Sequence, residues 1–446
     1  MRRISKVAAL SAVSAIAVSG LAACSSGDSS SSSTDGETGS VYYLNFKPES
    51  EDAWKSVAKT YTEETGVEVK IVTAASGTYE ETLKSEIAKS GAPTLFNING
   101  PVGYQTWKDY ALDVTDEDYT KALSDSSMAV SDDGKIYAVP FATEGYGIIY
   151  NDAIMQKYFA TDGAVVTSMD EINNFDTLKA VADDMQSKKD DLGINGVFAS
   201  TSLASGEDWR WQTHLANYPV FYEFRDEGVS DSDTLKLTYG DNFKNIFDLY
   251  LTDSTIDPKL TGSVTVSDSM AEFALGQAAM VQNGNWAWSQ ISEVDGNTVQ
   301  ESDIHFLPIY IGVDGEEDAG IAVGTENFMT VNSQASKADQ QASIDFLNWL
   351  FTSDEGTKLV SDELGFIAPF TTFADLAPSD PLGKEVVEYV NDSDLYNVNW
   401  VFTVFPSQDF KDGLGQHLAQ YAAGNEDWSA VTDYFTTEWA TEKSAS

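Results

Sequence analysis

Three histidines and one cysteine are all this chain offers to chemistries that rely on imidazole or thiol. His214, His305 and His417 stand far apart, and none has another His or Cys at metal-ligand spacing. A lone imidazole of that kind usually serves structure. No Gly-x-Ser-x-Gly elbow, phosphate loop or dinucleotide fingerprint occurs. The acidic run Asp113-Val114-Thr115-Asp116-Glu117-Asp118 does not match the calcium loop of an EF-hand. Neither a metal nor a cofactor is therefore expected. The chain is instead rich in carboxylates and rings, with 71 Asp+Glu, 10 Trp, 20 Tyr and 22 Phe. Two carboxylates about 5–5.5 Å or 6.5–9.5 Å apart hydrolyse glycosidic bonds, so a surface glycoside hydrolase is one reading. Rings set beside carboxylates and amides hold a sugar without cutting it. The rings cover its C–H faces and the polar groups satisfy its hydroxyls.

The single thiol, Cys24, matters through its position. It follows a basic start (Arg2, Arg3, Lys6), an apolar stretch over 7–23 and the string Leu21-Ala22-Ala23. Basic, apolar and small-residue regions in that order describe a secretory signal over 1–23. The cysteine directly after it resembles the lipobox of bacterial lipoproteins, in which the thiol is acylated and becomes the first mature residue. The apolar stretch is shorter than the roughly 20 residues a membrane span needs. An exported, lipid-anchored protein on the outer face of the cell membrane is expected. Its formal net charge of −45 opposes nucleic acid and anionic lipid head groups as partners.

Residues 24–40 contain no large apolar side chain and read as a flexible linker. A β-prone run at 41–46 opens the folded part. Helix 51–65 places Trp54, Val57, Ala58 and Tyr61 on one face, Gly66 ends it, and 67–72 alternates like a strand. Helix 79–89 and strand 94–98 follow. This order predicts an α/β fold with a largely parallel sheet. Further strands are expected at 193–199, 304–309 and 327–331, and helices at 337–351, 354–364 and 410–423.

Three segments together carry a family resemblance. The first is Asp133-Gly134-Lys135-Ile136-Tyr137-Ala138-Val139-Pro140, running into Glu144-Gly145-Tyr146-Gly147-Ile148-Ile149-Tyr150-Asn151. The second is Phe273-Ala274-Leu275-Gly276-Gln277-Ala278-Ala279-Met280, continuing to Gly284-Asn285-Trp286-Ala287-Trp288. The third runs from Phe346-Leu347-Asn348-Trp349-Leu350 through Thr352-Ser353-Asp354-Glu355-Gly356 to Leu364-Gly365-Phe366-Ile367-Ala368-Pro369. In this order behind a lipobox, they resemble the extracellular solute-binding proteins of carbohydrate ABC importers, the maltose-binding-protein-like family. Residues 41–46, 79–101 and 133–151 fit its Gram-positive oligosaccharide-binding subgroup.

The resemblance implies a two-lobe α/β fold of the periplasmic-binding-protein type, with a ligand cleft between lobes joined by hinge segments. Crossings would fall near 143–144, 306–309 and 365–369. The N-terminal lobe would comprise 41–142 and 308–365, and the C-terminal lobe 143–307 and 366–446. The implied function is capture of an oligosaccharide by a non-enzymatic monomer that delivers it to ABC permease subunits. Carried over position by position, Trp286 would stack on sugar, with Asn285 beside it. Glu144 and Tyr146 would face the ligand at the hinge, and Trp209 would add an aromatic from the C-terminal lobe. Asn45, Lys47 and Glu49 would contribute polar contacts after the first strand, Asn99 after the third, and Glu326 and Asn327 from the N-lobe side. The family's aromatic clamp near Asp409-Phe410 has no Trp here.

Overall fold

The computed structural model of the protein describes residues 38–75 and 77–445. The expected signal, Cys24 and linker residues 25–37 lie outside the described residues. Gly39 and Ser40, expected in the linker, are already docked. The Ser40 N–H donates to Asp339 at 2.8 Å, at the start of the helix Lys337–Thr352.

Apolar patterning explains the first elements. The strand β1 (Val41–Asn45) is buried along its whole length, because helices cover both faces of its sheet. Helix Glu51–Thr65 buries Trp54, Val57, Ala58 and Tyr61, and Gly66 closes it in the left-handed region at φ 76°. After β2 (Val69–Thr73), helix Tyr79–Ile87 leads to β3 (Leu95–Asn99), and β4 (Val130–Asp132) and β5 (Lys135–Pro140) follow. The chain then forms β6 (Glu144–Asn151), β7 (Gly196–Phe198), β8 (Ala278–Gly284), β9 (Ile304–Leu307), β10 (Ala319–Gly324), β11 (Asn327–Val331) and β12 (Tyr396–Asn399).

These strands make two sheets. The first has the order β2-β1-β3-β11-β5-β4, and the second β12-β10-β6-β8-β7 with β9 also beside β6. The unit β1–β2–β3 is parallel, as its connecting helices require. β11 runs against β3 and β5, and β6 runs against β8, β9 and β10. Both sheets are therefore mixed rather than largely parallel. The reason is local: β6 and β11 are each entered straight from the other sheet, with no helical return to impose a parallel direction.

The crossings follow from sheet membership. Between β5 and β6 the chain changes sheets over 141–143, where Thr143 bridges Ile367. The second change comes at Thr325-Glu326, between β10 and β11, because β9 and β10 both pair with β6. This corrects the expected crossing at 306–309 and the expected boundary at 308. Residues Phe366, Ala368, Phe370 and Phe373 pack in the core of the first sheet with Val41 and Phe346. The return to the second sheet is made by helix Pro381–Asn391, whose Leu382 and Val386 pack with Ile149 and Phe306. The expected boundary at 366 shifts accordingly. Elsewhere, helix Gln408–Ala422 starts earlier than expected, and the expected strand over 193–199 shortens to β7.

Backbone proximity fixes one glycine of the third segment. A Cβ on Gly356 would lie 2.2 Å from the Trp349 carbonyl oxygen and 2.8 Å from Leu350 Cα. Neither backbone atom has room to yield. Gly356→Ala is therefore expected to cost about 1–3 kcal/mol of stability, measured as a lower urea midpoint at unchanged m-value. An unaltered midpoint would contradict this packing.

Candidate functional site

The turn after β1 is built to aim one ammonium. Asn45 accepts from the Lys47 N–H at 3.0 Å and donates to the Lys47 carbonyl at 2.7 Å and to Thr73 Oγ1 at 3.2 Å. Asn45 itself has no exposed surface, so it positions the turn rather than facing an open site. Lys47 is 5% exposed, and its Nζ lies 2.7 Å from Glu144 Oε1 and 3.4 Å from Glu49 Oε1. Lys47 follows a strand of the first sheet, whereas Glu144 is the first residue of β6 in the second. The pair thus joins the two sheets at the first crossing. Burial alone would push the Lys47 ammonium down, but Glu144 and Glu49 outweigh it and hold the group above its ordinary range. Burial pushes the Glu144 carboxyl up against the pull of Lys47.

An aromatic wall stands beside this pair. Lys47 Nζ is 5.3 Å from the centre of the Trp286 ring, within cation–π range. Trp286 follows β8 and lies flat on Gly284, where any Cβ would meet the indole at 2.2 Å. Trp209, His214 and Trp400 surround it, with ring centroids 6.1, 5.6 and 6.5 Å away. Arg210 fixes part of this wall. Its guanidinium is fully buried and donates to the Gln282 carbonyl at 2.8 Å, Ser202 Oγ at 2.9 Å and Ser269 Oγ at 2.8 Å. Gln282 Nε2 donates back to the Arg210 carbonyl at 2.7 Å, fastening the π-helical turn Arg210–Leu215 to β8. Burial lowers the Arg210 guanidinium to about 10.

Two further expected contact residues, Tyr146 and Asn285, are buried beside the wall. Tyr146 has no exposed surface, stacks on His214 at 4.2 Å and donates its hydroxyl to the His214 carbonyl at 3.0 Å. It backs the wall, covered by His214, Tyr218 and Trp400. Asn285 is engaged in a reciprocal bond with Gly145: its Oδ1 accepts from Gly145 N–H, and its own N–H donates to Gly145 O, each at 3.0 Å. That bond ties the Trp286 turn to Glu144.

Glu49 is half-buried against Lys47. Asn99 ends β3 opposite Asn327, the first residue of β11, and its Oδ1 is buried without a partner. Asn327 is itself buried, whereas Glu326 is half-buried in the second crossing. Thr325 Oγ1, Trp400 Nε1 and His214 Nδ1 are also buried and unpartnered. Most buried polar groups in native proteins are satisfied. Four of the unpartnered buried atoms among the described residues thus belong to Asn99, Thr325, Trp400 and His214. Burial, reinforced by Lys411, Arg210 and Lys47, lowers His214 far below its ordinary range and keeps it neutral.

Sequence reasoning missed Trp400, His214, Phe402 and Lys411. The string Asn399-Trp400-Val401-Phe402 carried a signal, since aromatics directly after a strand end often meet a cleft. Only the fold shows that Gly324, in the next strand, has no side chain because Trp400 fills that space, with Cγ 2.5 Å from a built Cβ.

Breaking the buried pair from one side leaves Glu144 uncompensated. Lys47→Met is expected to lower unfolding free energy by on the order of 3 kcal/mol, and adding Glu144→Gln to restore at least half. Urea denaturation of both variants checks this, and equal stability of the single variant and wild type would contradict it.

A model of the family described as bacterial extracellular solute-binding protein matches residues 56–388, well over half of the chain. The fold is similar to a chitin oligosaccharide binding protein, at TM-score 0.71 and 19% identity over 92% of this chain and 100% of that one. It is similar to the solute-binding protein RafE in complex with raffinose, at TM-score 0.69 and 17% identity over 91% and 100%. A sugar transporter from Bacillus licheniformis in complex with stachyose matches at TM-score 0.65 and 16% identity over 90% and 100%. The two-lobe fold is shared across these structures, and the protein belongs to the bacterial extracellular solute-binding family.

Proposed function

We propose that the protein captures an oligosaccharide between its two lobes and delivers it, as a monomer tethered through lipid on Cys24, to an ABC importer. The observation that carries this reading is the wall of Trp286, Trp209 and Trp400 set against the buried Lys47–Glu144 pair. Indole faces cover the apolar side of a pyranose ring, and ammonium, carboxylate and amide groups serve its hydroxyls. Trp286 and Trp209 stack on the sugar, Glu144, Lys47 and Glu49 bond hydroxyls, and Asn99, Glu326 and Asn327 close the site from the first sheet and the crossing. Names of structurally similar proteins support the ligand class, since they include raffinose, stachyose and chitin-oligosaccharide complexes or binders.

Binding without hydrolysis fits the same geometry. Glu144 and Glu49 share one ammonium, and the non-hydrolytic reading is supported by the solute-binding family to which the chain belongs. Ligand favours the closed state because only there do both lobes touch it. Moving a mostly open population to mostly closed takes about 5.5 kcal/mol of differential binding. One stacked ring and several hydrogen bonds at about 0.5–1.5 kcal/mol each supply that.

Titration calorimetry against a panel of neutral oligosaccharides tests the reading. At least one sugar is expected to bind, and Trp286→Ala to weaken it roughly tenfold or more while the variant still unfolds cooperatively. Unaltered affinity in that variant would remove Trp286 from the site.

A further inference from the structure

Lys411 is the one feature of this region that a neutral sugar does not explain. It lies on the buried face of helix Gln408–Ala422 and is 5% exposed. In contrast to Lys47, its ammonium makes no hydrogen bond or ion pair with any described residue. Its Nζ lies 5.6 Å from the centre of the Phe402 ring, and Phe402 is 5.0 Å from Trp400 and 5.3 Å from His214. The same turn, Val401–Val404, reaches the first sheet's side, where Thr403 Cβ is 3.8 Å from the place a Cβ on Gly100 would take. Lys411 therefore sits where the two halves meet, one ring away from the aromatic wall.

The physical problem is an ammonium on a 5% exposed side chain with no carboxylate among the described residues at ion-pair distance. Burial lowers its pKa, and Glu326, Asp412 and Glu80 pull the other way only from beyond ion-pair distance. A buried cation held this way is unfavourable unless a hydrogen-bonded anion pairs with it. A hydroxyl accepts one hydrogen bond from the group, whereas an anionic substituent also returns Coulomb energy at low dielectric, and a carboxylate is the anion that sugar units themselves carry as uronic acids. The chain's overall acidity does not forbid this, because exposed charges beyond about 8 Å are largely screened at physiological salt.

Resting on the capture of oligosaccharides described above, we infer that Lys411 makes the site selective for a sugar chain carrying a carboxylate, a hexuronic acid unit. The uronate seats on Lys411 while the neighbouring neutral ring lies against Trp286 and Trp400. Lys411 thus acts as a specificity-determining residue.

Calorimetry on matched probes tests the assignment: xylotriose against its glucuronic-acid-substituted form, and galactotriose against trigalacturonate. In at least one pair the acidic member is expected to bind wild type roughly tenfold tighter or more. Lys411→Met should abolish that preference while changing affinity for the neutral member by less than about threefold, and Lys411→Arg should keep it. Ligand-free Lys411→Met should melt at the same or a higher temperature, because a desolvated charge is gone. Equal or tighter binding of the neutral member in both pairs overturns the inference and leaves oligosaccharide capture standing. So does a preference that survives Lys411→Met. If none of these probes and no neutral oligosaccharide binds, the capture reading and this inference fall together.

Discussion

The ion pair of Lys47 and Glu144 is the constraint from which the rest of the site follows. Two charges 2.7 Å apart at 5% and 6% exposure come from different sheets. Their desolvation is offset only when both are present and held in line. Asn45 shapes the turn that delivers the ammonium, and Asn285 locks the strand start that delivers the carboxylate. A buried pair is weak evidence for stability in itself. Its value here is positional, because it sets the first crossing and with it the distance between the β1 turn and the Trp286 turn.

Around that fixed point the second sheet contributes rings and the first contributes polar ends. Gly284 and Gly324 are small because Trp286 and Trp400 occupy the volume above them. Arg210 replaces the missing carboxylate partner with three oxygen acceptors, and so holds Trp209 and His214 without introducing a negative charge beside the wall. The unpartnered atoms of Asn99, Thr325, His214 and Trp400 lie along the same junction. These groups lack partners among the described residues even with both halves in place.

Much of the fold was legible because periodicity survives in isolated segments. Helix Glu51–Thr65 and β11 occupy the expected residues, since Trp54, Val57 and Tyr61 at helical spacing and the Asn327–Val331 run state their environments locally. The second crossing was not legible. β10 is Ala-Gly-Ile-Ala-Val-Gly, too small and too rich in glycine to read as a strand, yet it is buried between β6 and β12. The site divides the same way. Trp286, Glu144, Lys47 and Glu49 lie in segments with a recognisable pattern, and the structure brings them together. Tyr146 shares its segment, but His214, Tyr218 and Trp400 cover it completely. Lys411 needed the tertiary fold. A lysine on a helix reads as solvated until the neighbouring turn is seen to cover it.

Small-angle X-ray scattering of the wild-type protein, with and without a saturating oligosaccharide shown by calorimetry to bind, tests the central claim most directly. Since each half carries part of one site, the radius of gyration is expected to fall on binding at unchanged mass. Identical scattering profiles in the free and fully bound protein would contradict the account.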